Sequence, residues 1–300
     1  MPTTLSAPLT VLRATDMGMC FGVRDAIELA LERADAGPLT ILGDLVHNPE
    51  VLATLRAKGV TSVREVADVA TPVVMVTAHG ASDKLLALTR ASGFDVVEAT
   101  CPLVHVAHKA VKALLRDGYH PVIIGQRDHP EVRGLTEDLE QVDVVLDERD
   151  IETISPHPRL GVAAQTTQPI ARVRQLVESI RRRFPDSTVR FMDTVCQPTK
   201  LRQRAAVDLA ARCDAVVVIG GAHSNNTREL VRTCQRHCAR VHHVEHEADV
   251  QGDWLKGITT LGLTAGTSTP DTVIDRVEQR IRTLASELTR SAAAVPAEAR

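Results

Sequence analysis

Short apolar runs recur along the chain, each followed by a small or polar turn and then by apolar residues three and four positions apart. The first run, Leu9 to Leu12, predicts a strand. Val23, Ala26, Ile27, Ala30 and Leu31 then predict a helix with one buried face, broken by Gly37-Pro38. Further strands are predicted at Leu39 to Leu42, Val73 to Thr77, Phe94 to Val97, Pro121 to Ile124, Val142 to Leu146 and Leu160 to Ala164. Val189 to Met192, Ala215 to Ile219, Val241 to Val244 and Ile258 to Leu263 complete the set. Helices are predicted after Asn48-Pro49, from Ser82, from Pro102, from Pro169, from Pro198, after Ser224-Asn225-Asn226-Thr227 and after Pro270. Strands alternating with helices imply an α/β fold of parallel-type sheets flanked by helices.

The pattern repeats three times, which predicts three similar small α/β modules: 9–100, 101–193 and 194–288, with 289–300 a flexible tail. In each module one cysteine follows a strand and opens a helix: Cys20, Cys101 and Cys196. A helix N-terminus favours the thiolate, so all three are primed as ligands. Three thiolates meeting at one point suit a soft metal or an iron–sulfur cluster. Cys213 reads as core filler, and Cys234-x-x-His237-Cys238 reads as solvated helix surface, with zinc binding as the alternative.

Composition narrows the classes. The formal charge is −3 with acids and bases interspersed, which argues against a nucleic-acid surface. Aromatic residues are only 2% of the chain, which suits an α/β core better than a β-sandwich. No apolar run approaches a membrane span, and residues 1–8 lack the order of a signal peptide, so a cytoplasmic protein with no membrane partner is expected. Six unclustered cysteines do not form a secreted disulfide framework.

Open α/β sheets bind ligands beyond the carboxyl ends of their strands. Those ends carry His47, His79, His129 with Glu131, Gln165-Thr166-Thr167, Ser224-Asn225-Asn226, and Thr264 with Ser268. If the three modules point these ends inward, they share one pocket with the three cysteines. The set is rich in donors and suits a phosphate or diphosphate. Glu131, a lone carboxyl among donors, suits a proton carrier. Neither nucleotide-binding glycine signature is present. A cluster-dependent reductase, a zinc hydrolase and a non-catalytic phosphate-binding module all remain open at this point.

The motifs Val46-His47-Asn48, Ala78-His79-Gly80, Ala99-Thr-Cys101-Pro-Leu-Val104, Gly125 through His129-Pro-Glu131-Val and Gln165-Thr-Thr167 occur in order. They are followed by Cys196 with Thr199 and Arg202-Gln203, Ser224 with Asn226, and Thr264-Ala-Gly-x-Ser268-x-Pro270. In this order they resemble the 4-hydroxy-3-methylbut-2-enyl diphosphate reductase family, across about residues 9 to 285. The resemblance implies three α/β modules arranged pseudo-threefold around a central site, with Cys20, Cys101 and Cys196 holding one 4Fe-4S cluster. It implies diphosphate binding by His47, His79, His129, Ser224, Asn225, Asn226 and Ser268. Glu131 would deliver protons, helped by Thr166. It further implies reductive dehydroxylation to isopentenyl and dimethylallyl diphosphates, the last step of an isoprenoid route, with electrons from a ferredoxin or flavodoxin. Asn225 stands where the family has serine, and Met17-Gly18-Met19 where it has Arg-Gly-Phe.

Overall fold

The computed structural model describes residues 9–293 of the 300. The chain runs through β1 (Thr10–Arg13), α1 (Phe21–Ala36), β2 (Leu39–Leu42), α2 (Pro49–Ala57), β3 (Thr61–Val63), β4 (Val73–Val76), α3 (Asp83–Ala91) and β5 (Asp95–Glu98). It continues with α4 (Pro102–Arg116), β6 (His120–Ile124), α5 (Pro130–Thr136), β7 (Asp143–Val145), α6 (Glu148–Ile151), β8 (Arg159–Ala164), α7 (Ile170–Arg183) and β9 (Thr188–Phe191). It ends with α8 (Gln197–Ala210), β10 (Ala215–Ile219), α9 (Asn225–Gln235), β11 (Val241–Val244), β12 (Thr260–Ala265) and α10 (Asp271–Ala293).

The strands form three four-stranded parallel sheets, with orders β3-β2-β4-β5, β7-β6-β8-β9 and β11-β10-β12-β1. Read this way the three share one topology. Two successive strands swap order, the third pairs with the first, and a fourth closes the edge. Three such sheets match the expected fold class, and one strand lies elsewhere than the sequence places it. Thr10–Arg13, placed by sequence in the 9–100 module, is the fourth strand of the last sheet and pairs with Thr260–Leu263 in register. A four-residue strand carries no mark of its partner. Its pairing is decided by the gap that β12 leaves open at the sheet edge.

The chain divides into two compact units, one of Met1–Cys20, His47–Pro49 and Leu201–Arg300, the other of Phe21–Val46 and Glu50–Lys200. The first unit holds the sheet β11-β10-β12-β1. It claims His47–Pro49 because Ser268 Oγ donates to the His47 carbonyl at 3.3 Å, and because a Cβ on Gly221 would overlap that same oxygen. The second unit holds the other two sheets.

Both faces of each sheet are covered, which explains the unbroken apolar runs. In β10, Val217 and Ile219 pack against Val273, Ile274, Val277 and Ile281 of α10. Val216 and Val218 point the other way, against Leu209 of α8 and Leu230 of α9. In β6, Val122 and Ile124 join Val173, Leu176 and Ile180 of α7, while Ile123 joins Ala107, Val111 and Leu114 of α4. Each such side chain contributes about 1.5–3 kcal/mol by burial.

Three elements escape the sequence pattern: the three-residue edge strand β3, the one-turn α6, and α5, which the sequence reads as an open turn. The last helix runs to Ala293 rather than fraying at 289, and Thr289 Oγ1 donates to the Ala285 carbonyl at 2.9 Å. The rest of the expected tail lies outside the described residues. No helix among them is long and apolar enough to cross a membrane.

Candidate active site

The shared topology places the candidate residues at equal steps beyond equivalent strands. His47, His129 and Ser224 each stand five positions past the ends of β2, β6 and β10. His79, Thr167 and Ser268 each stand three positions past the ends of β4, β8 and β12. The three cysteines follow the fourth strands β5, β9 and β1, and each directly precedes a helix: α4, α8 and α1.

Each cysteine is held by the same backbone bond inside its own sheet. Cys20 N donates to Thr267 O at 3.0 Å, Cys101 N to Ala78 O at 3.1 Å, and Cys196 N to Thr166 O at 3.0 Å. The acceptors are the residues immediately before Ser268, His79 and Thr167, so in every sheet a thiol is fixed next to a polar turn residue. Arg202, buried, fastens the Cys20 loop by donating Nε and an NH2 group to the Gly18 carbonyl at 3.0 and 2.8 Å. Gly18 has φ +73°, a conformation that favours glycine.

None of the three cysteines is in a disulfide, and all are half-buried. A Cβ on Gly22, in the first turn of α1, would overlap Cys101 Sγ, so the absence of a side chain there makes room for that sulfur. Cys196 Sγ is hydrogen-bonded to the buried Thr199 hydroxyl at 3.1 Å. Once the sulfur is ionised the hydroxyl becomes the donor and lowers the cost of the charge. Three cysteine sulfurs at helix N-termini, none of them in a disulfide, are a soft donor set that fits an iron–sulfur cluster.

Glu131 is 1% exposed and lies in the first turn of α5. His129 caps that helix, its Nδ1 accepting from Glu131 N at 3.1 Å, which puts the ring proton on Nε2. Burial pushes the Glu131 carboxyl up to about 7, against two hydrogen bonds that favour its charged form. Thr166 N donates to Oε1 at 2.6 Å and Thr166 Oγ1 donates to Oε2 at 2.9 Å. Thr166 thus grips the carboxyl with its amide and hydroxyl while its carbonyl holds the amide of Cys196. The His79 and His129 rings meet edge to face with centroids 5.0 Å apart.

In the first unit the corresponding turn is capped by Ser224, whose Oγ accepts from Thr227 N at 3.3 Å. Two residues past the cap stands Asn226, 2% exposed, where the second unit has Glu131. Asn226 Oδ1 accepts from Thr267 N at 3.0 Å, just as Glu131 accepts from Thr166 N. Among the described residues Asn226 Nδ2 has no hydrogen-bond partner, nor has Thr264 Oγ1 beneath it. Such buried polar atoms ask for a ligand, and an amide N–H suits an anion. Asn225 is buried beside them.

Two readings change. Cys234 and Cys238 lie in the core rather than on a solvated surface. Burial pushes the Cys234 thiol up to about 12, and Cys238 Sγ lies against the carbonyls of Cys213 and Arg240, so both sulfurs pack into the core. The sequence carries Thr167 only within Gln165-Thr166-Thr167, and its position three past β8, matching His79 and Ser268, is the signal that sets it apart.

A family profile described as LytB protein matches residues 11–282. A 4-hydroxy-3-methylbut-2-enyl diphosphate reductase of Geobacter sp. (strain M21) is 38% identical over 277 residues, covering 91% of this chain and 97% of the relative. Its namesake from Syntrophotalea carbinolica is 34% identical over 276 residues, covering 91% and 98%. A solved structure of (E)-4-hydroxy-3-methyl-but-2-enyl diphosphate reductase, described as the terminal enzyme of the non-mevalonate pathway, is similar at 33% identity, with a TM-score of 0.66 and coverage of 92% and 100%. The Plasmodium falciparum reductase structure shares the fold, with a TM-score of 0.86 at 24% identity and coverage of 91% and 88%. With a profile match over nearly all its length and relatives spanned almost end to end, the chain belongs to the LytB family of 4-hydroxy-3-methylbut-2-enyl diphosphate reductases.

Proposed function

We propose that this chain is an oxidoreductase that converts (E)-4-hydroxy-3-methylbut-2-enyl diphosphate to isopentenyl and dimethylallyl diphosphates, the closing step of the non-mevalonate isoprenoid route. Two electrons and two protons enter, the allylic hydroxyl leaves as water, and the diphosphate is unchanged. Cys20, Cys101 and Cys196 are assigned as ligands of one 4Fe-4S cluster, which when bound supplies the electrons and an iron position that three protein ligands leave open.

The remaining work falls to the chain itself. Asn226, Ser224, Asn225, Ser268 and His47 are assigned to the diphosphate in the first unit, and His79, His129 and Thr166 to the substrate in the second. Glu131 keeps a proton on its carboxyl near neutral pH and gives it up as the hydroxyl departs. Thr166 orients that carboxyl through both of its hydrogen bonds. The observation that carries the reading is Thr166 itself, which binds the acid with two donors and a cluster cysteine with its carbonyl. A reduced ferredoxin or flavodoxin in the cytoplasm is assigned as electron donor.

Anaerobically purified protein should contain about four iron and four sulfide per chain and turn over the diphosphate with dithionite-reduced viologen. Zinc without sulfide, or iron and sulfide without turnover, would overturn the assignment.

A further inference from the structure

The sheet β7-β6-β8-β9 carries Glu131 and Thr166 beyond the carboxyl ends of its strands. Its opposite edge carries a second cluster of ligating side chains that the reaction does not use. His120 opens β6, Asp143 opens β7, and His157 lies in the loop that leads into β8. Register explains the meeting. Asp143 pairs with Val122, and Val122 shares a face with His120 two residues earlier, so the carboxylate and the imidazole are diagonal neighbours. His120 Nε2 and Asp143 Oδ2 are 2.8 Å apart. The His157 ring stacks on His120 with centroids 3.7 Å apart and planes within 4°. The His157 loop is tied down, since Ser187 Oγ donates to the His157 carbonyl at 2.6 Å. One ligating atom from each of the three side chains lies within 4.8 Å of the others, and all three residues are half-buried. His120 and His157 also line a cavity of about 470 Å³, open to solvent between Tyr119 and Gln141.

We propose that His120, Asp143 and His157 form a divalent-metal site separate from the catalytic centre, and that zinc is the ion it takes. Two imidazoles and one carboxylate without a thiolate are a borderline donor set, and three protein ligands beside an open cavity leave a fourth position for water. Imidazole lone pairs lie in the ring planes, so the two stacked rings must open out of parallel to aim at one ion, which brings the ligand atoms to the roughly 3.3 Å separation tetrahedral zinc needs. The ion would displace the His120–Asp143 hydrogen bond and clip the first strand of the sheet to the segments flanking it on either side.

The test is equilibrium zinc binding to the anaerobic holoenzyme, read against a chromophoric chelator, for the wild type and two variants. His157→Phe keeps an aromatic ring stacked on His120 and removes the nitrogen donor. Asp143→Asn keeps the hydrogen bond and removes the charge. The wild type is expected to bind one zinc more than His157→Phe at micromolar free zinc, and Asp143→Asn to bind it at least tenfold more weakly. Iron content, sulfide content and turnover should be equal in all three. Equal zinc stoichiometry and affinity in wild type and His157→Phe would overturn the proposal and leave a packing stack. So would the absence of binding by wild type at 100 µM free zinc.

Discussion

Two turns in this molecule are built to one plan and carry opposite chemistry. Beyond β6 the cap His129 is followed two residues later by Glu131, and beyond β10 the cap Ser224 is followed two residues later by Asn226. Both side chains are almost fully buried, and both accept a backbone N–H from the residue two past the third strand of their sheet, Thr166 or Thr267. In one turn the buried group is a carboxyl whose affinity for a proton is raised by desolvation. In the other it is an amide with an unused N–H. Under the proposed function the same scaffold would offer a proton in one place and an anion contact in the other, by exchanging one oxygen for one nitrogen. The difference shows that the repeat fixes position while single residues fix chemistry.

The strongest way to break the contrast is to give the β6 turn the chemistry of the β10 turn. Glu131→Gln keeps both contacts to Thr166, whose hydroxyl turns to accept, and it should lower kcat on the order of 10²–10³-fold while iron and sulfide counts stay unchanged. The reverse exchange, Asn226→Asp, keeps the bond from Thr267 and places a negative charge where an anion contact is assigned. KM for the diphosphate should rise about 10–100-fold with a smaller change in kcat.

Stability sharpens the same contrast. The folded value of Glu131, about 7, lies above its ordinary 4.5, so between those pH values the native chain binds more protons than the unfolded one. The stability held by the neutral carboxyl is fully present below pH 4.5 and is lost as pH rises through 7. Glu131→Gln escapes this loss. Denaturant titrations at pH 4 and pH 8 should show its stability relative to wild type improving by about 3 kcal/mol at the higher pH. The smallest effect is expected from Thr166→Val, which removes one hydrogen bond to the charged carboxylate. The carboxyl should then titrate higher still, moving the alkaline limb of the kcat profile upward with less than about tenfold loss at its plateau.

Most of the alternation of strand and helix was legible, because the central strands are buried on both faces and end in small or polar turns. The polar turns also marked the candidate residues, since Gly, His, Ser and Asn after an apolar run have few packing reasons to be there. What stayed hidden depended on distance along the chain. The partner of β1 is β12, and nothing local in Thr10–Arg13 specifies it. The helix α5 was hidden because Gly134 interrupts its seven residues, although His129-Pro130 is a cap followed by a first-turn proline. The burial of Cys234 and Cys238 was hidden because alternating charges around them suggest a wet surface, whereas Cys234, on α9, and Cys238, three residues beyond its end, both pack into the core beside Leu209 and Leu230. The meeting of His120 and His157 was hidden by distance along the chain, since the loop before β8 lays the His157 ring on the first residue of β6.

The strand β1 is completed only by residues that follow it by about 250 positions, so its contacts are among the most distant in the chain. During synthesis Cys20 leaves the ribosome before Cys101 and Cys196, yet the loop that presents it has no sheet to lean on until Leu263 and Thr267 have emerged. The backbone anchor of that thiol is thereby complete only near the end of translation, and a nascent chain cut short before β12 carries a cysteine loop with nothing to dock against.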